Sequence, residues 1–304
     1  MHLEHPSTPT PDRAPTGARV DPAPEVDPRF TFDYVAYDDL EEGQRWSTWL
    51  DVEALCRGPE PRPDWVVTSR GAVDTELGVL KTGKEADVHL LERRDPHQPD
   101  DGVILAAKRY RDPEHRTFHR SAAYTDGRSV KRSRDQRALR RRSTFGRAVA
   151  AGEWAVAEWN ALVRCWRAGL PVPYPVQIDG TELLLEWITV PDDAGPQGVR
   201  TAPRLAQTRP DTATLASYAD QARALLHALV ADGLVHGDLS PYNILAAGER
   251  LVVIDLPQVV DLAGNPAGWD FLLRDCENLC AWFTRRGHPL DAQELFGDLV
   301  AGAF

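Results

Sequence analysis

Long apolar runs and paired cysteines are missing from this sequence of 304 residues. No run of about eighteen uncharged apolar residues occurs, so we expect no membrane span and no membrane partner. Residues Met1 to Pro28 are polar and proline-rich and contain no apolar signal core, which indicates a cytoplasmic protein. The four cysteines include no CxxC pair, which argues against a zinc site and favours free thiols in a reducing compartment.

Positive charge is also in deficit, because the formal net charge is −11. That balance argues against a general nucleic-acid-binding surface. The charge is uneven, however, since arginines dominate from Arg109 to Arg147 and are densest over residues 128–142. This segment could meet the phosphates of ATP, RNA or a phosphoprotein, and a solvated charged loop is an equally good interpretation.

The length allows one large domain or two lobes with their own apolar core. Changes in composition and in the spacing of apolar residues predict a chain of four parts. These parts are a disordered tail over 1–35, a helical extension over 36–63, a strand-rich lobe over 64–188 with a basic loop at 111–147, and a helical lobe over 189–304.

Two segments of the first half have apolar residues at helical spacing. Residues 39–57 carry Leu40, Trp46 and Trp49, and we therefore predict a helix that ends at Gly58. Residues 147–168 are predicted as an amphipathic helix that stops at Gly169.

The segment HGDLSPYN at residues 236–243 is the most informative stretch. An apolar helix is predicted before it, and after it comes a hairpin that ends in Asp255. Asp238 and Asn243 are spaced so that both can face one bound nucleotide. A helix, a polar loop and a hairpin ending in aspartate is how the catalytic core of protein kinases presents its phosphoryl-transfer groups.

A hairpin near residues 75–92, which we call the lid, has the form strand, glycine-bearing turn, strand. Backbone amides and a lysine in such a turn can reach a phosphate. The turn carries one glycine where kinase lids usually carry three, so an ordinary hairpin is about as consistent with this stretch.

Lys108 lies in an otherwise apolar predicted strand, and burying a lysine is costly without an anionic partner. Glu158 on the helix 147–168 is the natural candidate partner. The alternatives are a lysine that faces solvent on an edge strand and a glutamate on the polar face of its helix.

Four motifs together resemble the RIO family of atypical serine/threonine protein kinases, with most similarity to its first, bacterial-type branch. KTGKEADV at 81–88 resembles the family's STGKEANV, and HGDLSPYN resembles HADLSEYN. IDLPQ at 254–258 resembles IDVSQ, and DFLLRDCENL at 270–279 resembles FLRKDCxNI. The resemblance implies an α+β fold, two-lobed and protein-kinase-like, with a truncated C-terminal lobe; consistently, no Phe-Gly follows Asp255 and no Ala-Pro-Glu occurs after it.

The same resemblance implies a site that binds ATP and Mg²⁺ and a role for each of its residues. It implies Asp238 as the catalytic carboxylate, with Lys108 contacting the phosphates and pairing with Glu158. Asn243 and Asp255 would hold the metal. The expected nucleotide-binding residues are Thr82, Gly83, Lys84 and Glu85 in the lid, together with Lys108, and Glu186 to Ile188 in the hinge between the lobes.

The implied activity is phosphoryl transfer from ATP to a protein acceptor or to the chain itself, with a phosphorylated Asp255 in ATP hydrolysis. Pro241 and Leu256-Pro257 depart from the family pattern, as does Asp87, without removing a group that the chemistry needs. Three alternatives stay open. They are a small-molecule phosphotransferase of the aminoglycoside and choline kinase type, an ATP-operated module that binds ribosomal RNA or a ribosome-assembly particle through the arginine-rich segment, and an inactive pseudokinase.

Overall fold

The computed structural model describes residues 40–111 and 144–303, which form two lobes. The first lobe is built on a six-stranded antiparallel sheet in the order β1-β2-β3-β4-β6-β5. Its strands are β1 (Gln44–Trp46), β2 (Val73–Thr82), β3 (Ala86–Asp95), β4 (Gln98–Tyr110), β5 (Pro175–Asp179) and β6 (Glu182–Glu186).

Helix α1 (Thr144–Arg167) connects β4 to β5 and packs against one face of the sheet. Side chains alternate between the faces of β4. Leu105 and Ala107 pack in the cluster around Trp49 on the outer face, whereas Tyr110 joins the core on the side of α1. Lys108 has the same parity as Tyr110, so the strand directs it toward the helix.

Strand β2 is irregular along the part that forms the lid. Its pairing with β3 shifts register between Glu76 and Gly78 and again between Val79 and Lys81. Strand β1 covers only Val73 to Thr75 of the other edge of β2. The half of β2 nearest the lid turn is therefore an edge strand.

The second lobe combines short hairpins with three helices. Strands β7 (Thr189–Pro191) and β8 (Val199–Thr201) form a hairpin, and α2 (Thr212–Ala231) follows. The carboxylate of Asp211 caps α2 by accepting a hydrogen bond from the Thr214 N–H at 2.8 Å. The remaining elements are β9 (Leu234–Val235), β10 (Ile244–Ala247), β11 (Arg250–Val253), β12 (Val260–Asp261), α3 (Gly268–Arg285) and α4 (Ala292–Gly302).

This arrangement confirms the predicted two-lobed α+β fold. The hairpin that delivers Asp255 is β10-β11, and only β12, α3 and α4 follow it in the described chain. None of the described helices combines the length and the apolarity that crossing a membrane requires.

The predicted helix over 39–57, and with it the helical character of the extension 36–63, is wrong. Gln44 to Trp46 instead pair with β2, and the only helical turn among the described residues 40–63 is a short 3₁₀ turn at Ala54–Cys56. Trp49 is 3% exposed because it packs on the outer face of the sheet. Contacts with a distant strand therefore override the local helical spacing.

Two other predictions fall where the structure gives no description. The tail 1–35 lies wholly outside the described residues, and so does most of the basic loop 111–147, including its arginine-rich part.

Candidate active site

Lys108 lies at the centre of the cleft between the lobes. Its Nζ donates to Glu158 Oε1 at 2.7 Å and to Asp255 Oδ1 at 2.9 Å. The side chain is 13% exposed. Burial alone would lower the pKa of Lys108, but the two carboxylates outweigh it and the pKa is raised. Lys108 is therefore a permanent cation that joins α1 to the end of the β10-β11 hairpin.

Glu158 is buried on α1 and is held by three donors. Besides Lys108, the Tyr110 hydroxyl donates to Oε2 at 2.5 Å, and the Leu256 N–H donates to Oε1 at 3.2 Å. Burial raises the pKa of Tyr110 well above its usual range, and the Glu158 charge adds to that effect, so Tyr110 stays a donor. The glutamate thus connects β4, α1 and the chain after Asp255.

Asp255 follows β11 and faces the cleft, with its side chain 45% exposed. Its backbone is left-handed, with φ of 69°, a conformation that aspartate tolerates better than most residues. The positive charge of Lys108 lowers the pKa of Asp255. The carboxylate is ionised near neutral pH, and its Oδ1 accepts the hydrogen bond from Lys108.

Asp238 and Asn243 lie on the loop between β9 and β10. The Asn243 Nδ2 group donates to the Asp238 backbone carbonyl at 2.9 Å, and this hydrogen bond joins the two ends of the loop. The Asn243 carbonyl accepts from the Ile254 N–H at 2.9 Å, so Asn243 stands next to the residue that precedes Asp255. The structure brings these two residues to the same side of the cleft as Asp255.

Side chains of α3 hold the backbone of this loop, and this contact was not predicted from the sequence. Asp275 accepts hydrogen bonds from the Gly237 and Leu239 N–H groups, both at 2.8 Å, on either side of Asp238. Asn278 Nδ2 donates to the Leu239 carbonyl at 3.0 Å, and Arg274 donates to the Gly237 carbonyl. The motif at 270–279 carries this signal, because Arg274, Asp275 and Asn278 fall within one turn of a helix.

The lid residues line the cleft from above. Thr82 ends β2, and the Gly83 N–H donates to the Ala86 carbonyl at 3.0 Å to close the turn. Lys84 is exposed, whereas Glu85 is half-buried. Burial raises the pKa of Glu85, and the negative charge of Asp255 raises it further.

The expected hinge residues connect β6 to β7. The Glu186 side chain accepts from the Tyr174 N–H at 3.0 Å, and its N–H donates to the Tyr174 carbonyl at 2.9 Å. Ile188 is buried against Leu245 and Val252 of the β10-β11 hairpin, and its carbonyl accepts from the Ala202 N–H. Glu186 is thus fixed to the first lobe and Ile188 to the second.

The donor set near Asp255 suits Mg²⁺. Magnesium is commonly bound through one or two carboxylates with substrate phosphates and water completing the shell, rather than by a cage of protein ligands. Asp255 and Asn243 can supply two oxygens at the cleft. No group of three or more His, Cys, Asp or Glu side chains that could hold a metal occurs among residues 40–111 and 144–303.

Comparison with known proteins identifies the family. A model of the RIO domain matches residues 103–295. The RIO-type serine/threonine-protein kinase Rio1 of Haloferax volcanii is 33% identical over 76% of this chain and 71% of its own length. The serine/threonine-protein kinase RIO3 of Caenorhabditis elegans is 29% identical over 74% of this chain but only 39% of its own length.

Solved structures support the fold. The Rio2 kinase of Chaetomium thermophilum, in a complex described as ADP/Mg²⁺-phosphoaspartate, superposes with a TM-score of 0.51 at 22% identity. The match covers 73% of this chain and 61% of the other. The domain match includes Lys108, both cleft aspartates and the helix that anchors the loop. The chain therefore belongs to the RIO family of atypical serine/threonine protein kinases.

Proposed function

We propose that this protein is a Mg-ATP-dependent RIO-type serine/threonine kinase that also hydrolyses ATP. The contact of Lys108 with both Glu158 and Asp255 carries the proposal, because it joins the two lobes at one charged point. Catalysis of phosphoryl transfer is mostly positioning and charge neutralisation. A lysine, two carboxylates and an amide that border one cleft are sufficient for that task.

Each residue has a role that follows from its chemistry. Lys108 would bind the phosphates, and Glu158 would orient it. Asp238 would accept the proton of the attacking hydroxyl. Asn243 and Asp255 would hold Mg²⁺, which when bound neutralises the charge that develops on the transferred phosphoryl group. Thr82, Gly83, Lys84 and Glu85 would cover the phosphates, and the backbone from Glu186 to Ile188 would hold the adenine.

The ATPase route would use Asp255 as nucleophile. Its free oxygen attacks the γ-phosphorus, the bond from phosphorus to the β,γ-bridging oxygen breaks, and ADP leaves. Water then attacks the acyl phosphate and releases inorganic phosphate, which restores the carboxylate. The phosphoaspartate described for the Chaetomium thermophilum Rio2 kinase supports this route by analogy.

The test is to incubate the pure protein with magnesium and ATP labelled at the γ-phosphate. We expect label on serine or threonine, together with an acyl phosphate labile to hydroxylamine. Asp238→Ala should abolish transfer to hydroxyl acceptors while nucleotide binding stays measurable. Undiminished transfer by Asp238→Ala would remove Asp238 from the mechanism.

The proposal also covers the acceptor of the phosphoryl group and the binding partner of the protein. RIO-type relatives favour a protein acceptor, or the chain itself, over the small-molecule acceptor of aminoglycoside or choline kinases. The arginine-rich segment 128–142 supports a ribosomal RNA or ribosome-assembly partner in the cytoplasm. Co-sedimentation with ribosomal particles over a range of salt concentrations tests this partner, and absence from every particle at low salt contradicts it.

A further inference from the structure

Two cations from opposite lobes approach the cleft without an acidic partner. Lys81 lies on β2 at the base of the lid turn, and Arg204 lies between β8 and α2. Within the described parts of the chain, neither side chain forms an ion pair with a carboxylate. Neither was singled out by the motifs, and the family's STGKEANV has serine where this chain has Lys81.

The sheet register directs Lys81 to the same face as Lys108. Lys81 pairs with Val88 on β3, and Val88 pairs with Lys108 on β4. Residues directly opposite each other in antiparallel strands have their side chains on one face. Lys81 and Lys108 are thus in one row across the sheet, about 10 Å apart at their Cα atoms.

Arg204 belongs to the floor of the same cleft. It forms an isolated antiparallel bridge with Leu245, two residues beyond Asn243. The residues beside it are bonded to the loop 236–243 and to the β10-β11 hairpin, because the Ala206 N–H donates to the Pro241 carbonyl at 2.9 Å and the Ala246 N–H donates to the Pro203 carbonyl at 2.8 Å. Arg204 is therefore fixed beside the loop, and its side chain is half-buried.

The electrostatics agree with this convergence. Burial lowers the pKa of Lys81, and the charge of Arg204 lowers it further. Burial also lowers the pKa of Arg204, while Asp255 raises the pKa of both groups. Lys81 and Arg204 therefore both interact electrostatically with Asp255 in the cleft.

We infer that Lys81 and Arg204 form a clamp for the polyphosphate of the nucleotide, one arm in the lid and the other in the floor. The inference rests on the proposed function and adds two phosphate ligands to it. Lys108 is already engaged by Glu158 and Asp255, so it leaves most of the triphosphate charge for other cations. Because the two arms belong to different lobes, a polyphosphate held by both would draw the lid toward the loop.

The experiment is a calorimetric titration with three ligands in the presence of magnesium: a non-hydrolysable ATP analogue, ADP and AMP. A charge-assisted hydrogen bond to phosphate is worth enough that Lys81→Gln and Arg204→Gln should each weaken the ATP analogue and ADP about tenfold. AMP lacks the β- and γ-phosphates, so its affinity should change by less than about twofold. Lys81→Arg and Arg204→Lys keep the charge and should recover most of the affinity.

The matched control is Arg200→Gln on β8. This variant removes the same charge four residues from Arg204, where the side chain pairs with Asp192 on the surface. It should bind all three ligands as the wild type does, and thermal melting identifies any variant that fails to fold. Equal affinity of both clamp variants and the wild type for ADP overturns the clamp, and so does an equal loss for AMP and ADP. A wild-type protein that binds none of the ligands overturns the proposed function as well.

Discussion

At the scale of single residues, Tyr110 supports the ion pair without touching the nucleotide side of the cleft. Its hydroxyl donates to Glu158 Oε2, the oxygen that Lys108 does not use. The ring is buried beside the Lys108 ammonium, whose Nζ lies 5.2 Å from the ring centroid. Tyr110 therefore limits the rotation of the glutamate that orients Lys108.

Replacing Tyr110 by phenylalanine tests that role. The change leaves one carboxylate oxygen in a buried site without its donor, so we expect a loss of about 1 kcal/mol in the free energy of unfolding. We also expect kcat to fall about tenfold, because Glu158 would orient Lys108 less well. Chemical denaturation and steady-state kinetics measure the two effects.

Tyr218→Phe is the matched control for this substitution. Tyr218 is also buried, and its hydroxyl donates to the Gly248 carbonyl away from the cleft. This variant should lose stability but keep kcat. Equal kinetic effects of the two substitutions would show that Tyr110 acts only on stability.

At the scale of elements, α3 sets the position of the loop 236–243 through Asp275. Burial raises the pKa of Asp275 to about 7, although the Gly237 and Leu239 N–H groups act in the opposite direction. In the unfolded chain an aspartate has a pKa of about 4. A raised folded-state pKa contributes stability that is complete below the unfolded value and is lost as pH rises through the folded value.

Asp275→Asn removes this titration and replaces one acceptor of the loop by a donor. The stability of the wild type relative to the variant should therefore decrease as the pH rises from about 4 to about 7. Urea denaturation of both proteins at several pH values measures the difference. A difference that does not change with pH would contradict the assignment of the titration to Asp275.

The segment before β2, residues 47–72, packs closely against the first lobe at Gly58. A Cβ added to Gly58 would lie 2.2 Å from the Pro175 carbonyl oxygen and 2.4 Å from the Tyr174 hydroxyl oxygen. Because one of these contacts is with backbone, Gly58→Ala should destabilise the protein by about 2 kcal/mol. Gly71→Ala, in the same segment but in open space, should change stability by less than about 0.5 kcal/mol. Thermal melting of the two variants measures the difference in stability. Equal melting temperatures would contradict the close packing around Gly58.

The sequence predicts an element well when neighbouring residues determine it, and poorly when contacts with distant residues determine it. The apolar helix before residues 236–243 and the hairpin that ends in Asp255 have local signals, and both predictions agree with the structure. Trp46 and Trp49 have helical spacing, but their environment is set by a strand some thirty residues away, which no local pattern contains.

Within the candidate site, the same distinction applies. The motifs indicate Asp238, Asn243 and Asp255, and Lys108 is indicated by its place in an otherwise apolar predicted strand. Tyr110 and Arg204 have no such signal: Tyr110 acts through a contact across forty-eight positions, and Arg204 is placed beside the loop by its bridge with Leu245. Long-range contacts of this kind require coordinates.

At the scale of the whole molecule, nucleotide and metal should stabilise the fold together. A ligand that binds only the folded state at about one hundred times its Kd adds about 2.7 kcal/mol to the free energy of unfolding. We expect ATP with magnesium to raise the melting temperature and ATP with a chelator to raise it less. In Asn243→Ala this dependence on magnesium should largely vanish, and an unchanged dependence would exclude Asn243 as a ligand.

The two register shifts in β2 affect whether its outer edge can pair with a strand from another molecule. Beyond the three residues that pair with β1, the outer edge of β2 exposes Leu77 and Val79. A regular, exposed apolar edge of this kind can pair with a strand from another molecule. Interrupted pairing twists such a border away from a regular ladder. The irregular outer edge of β2 therefore disfavours intermolecular sheet growth, although no other described strand covers it.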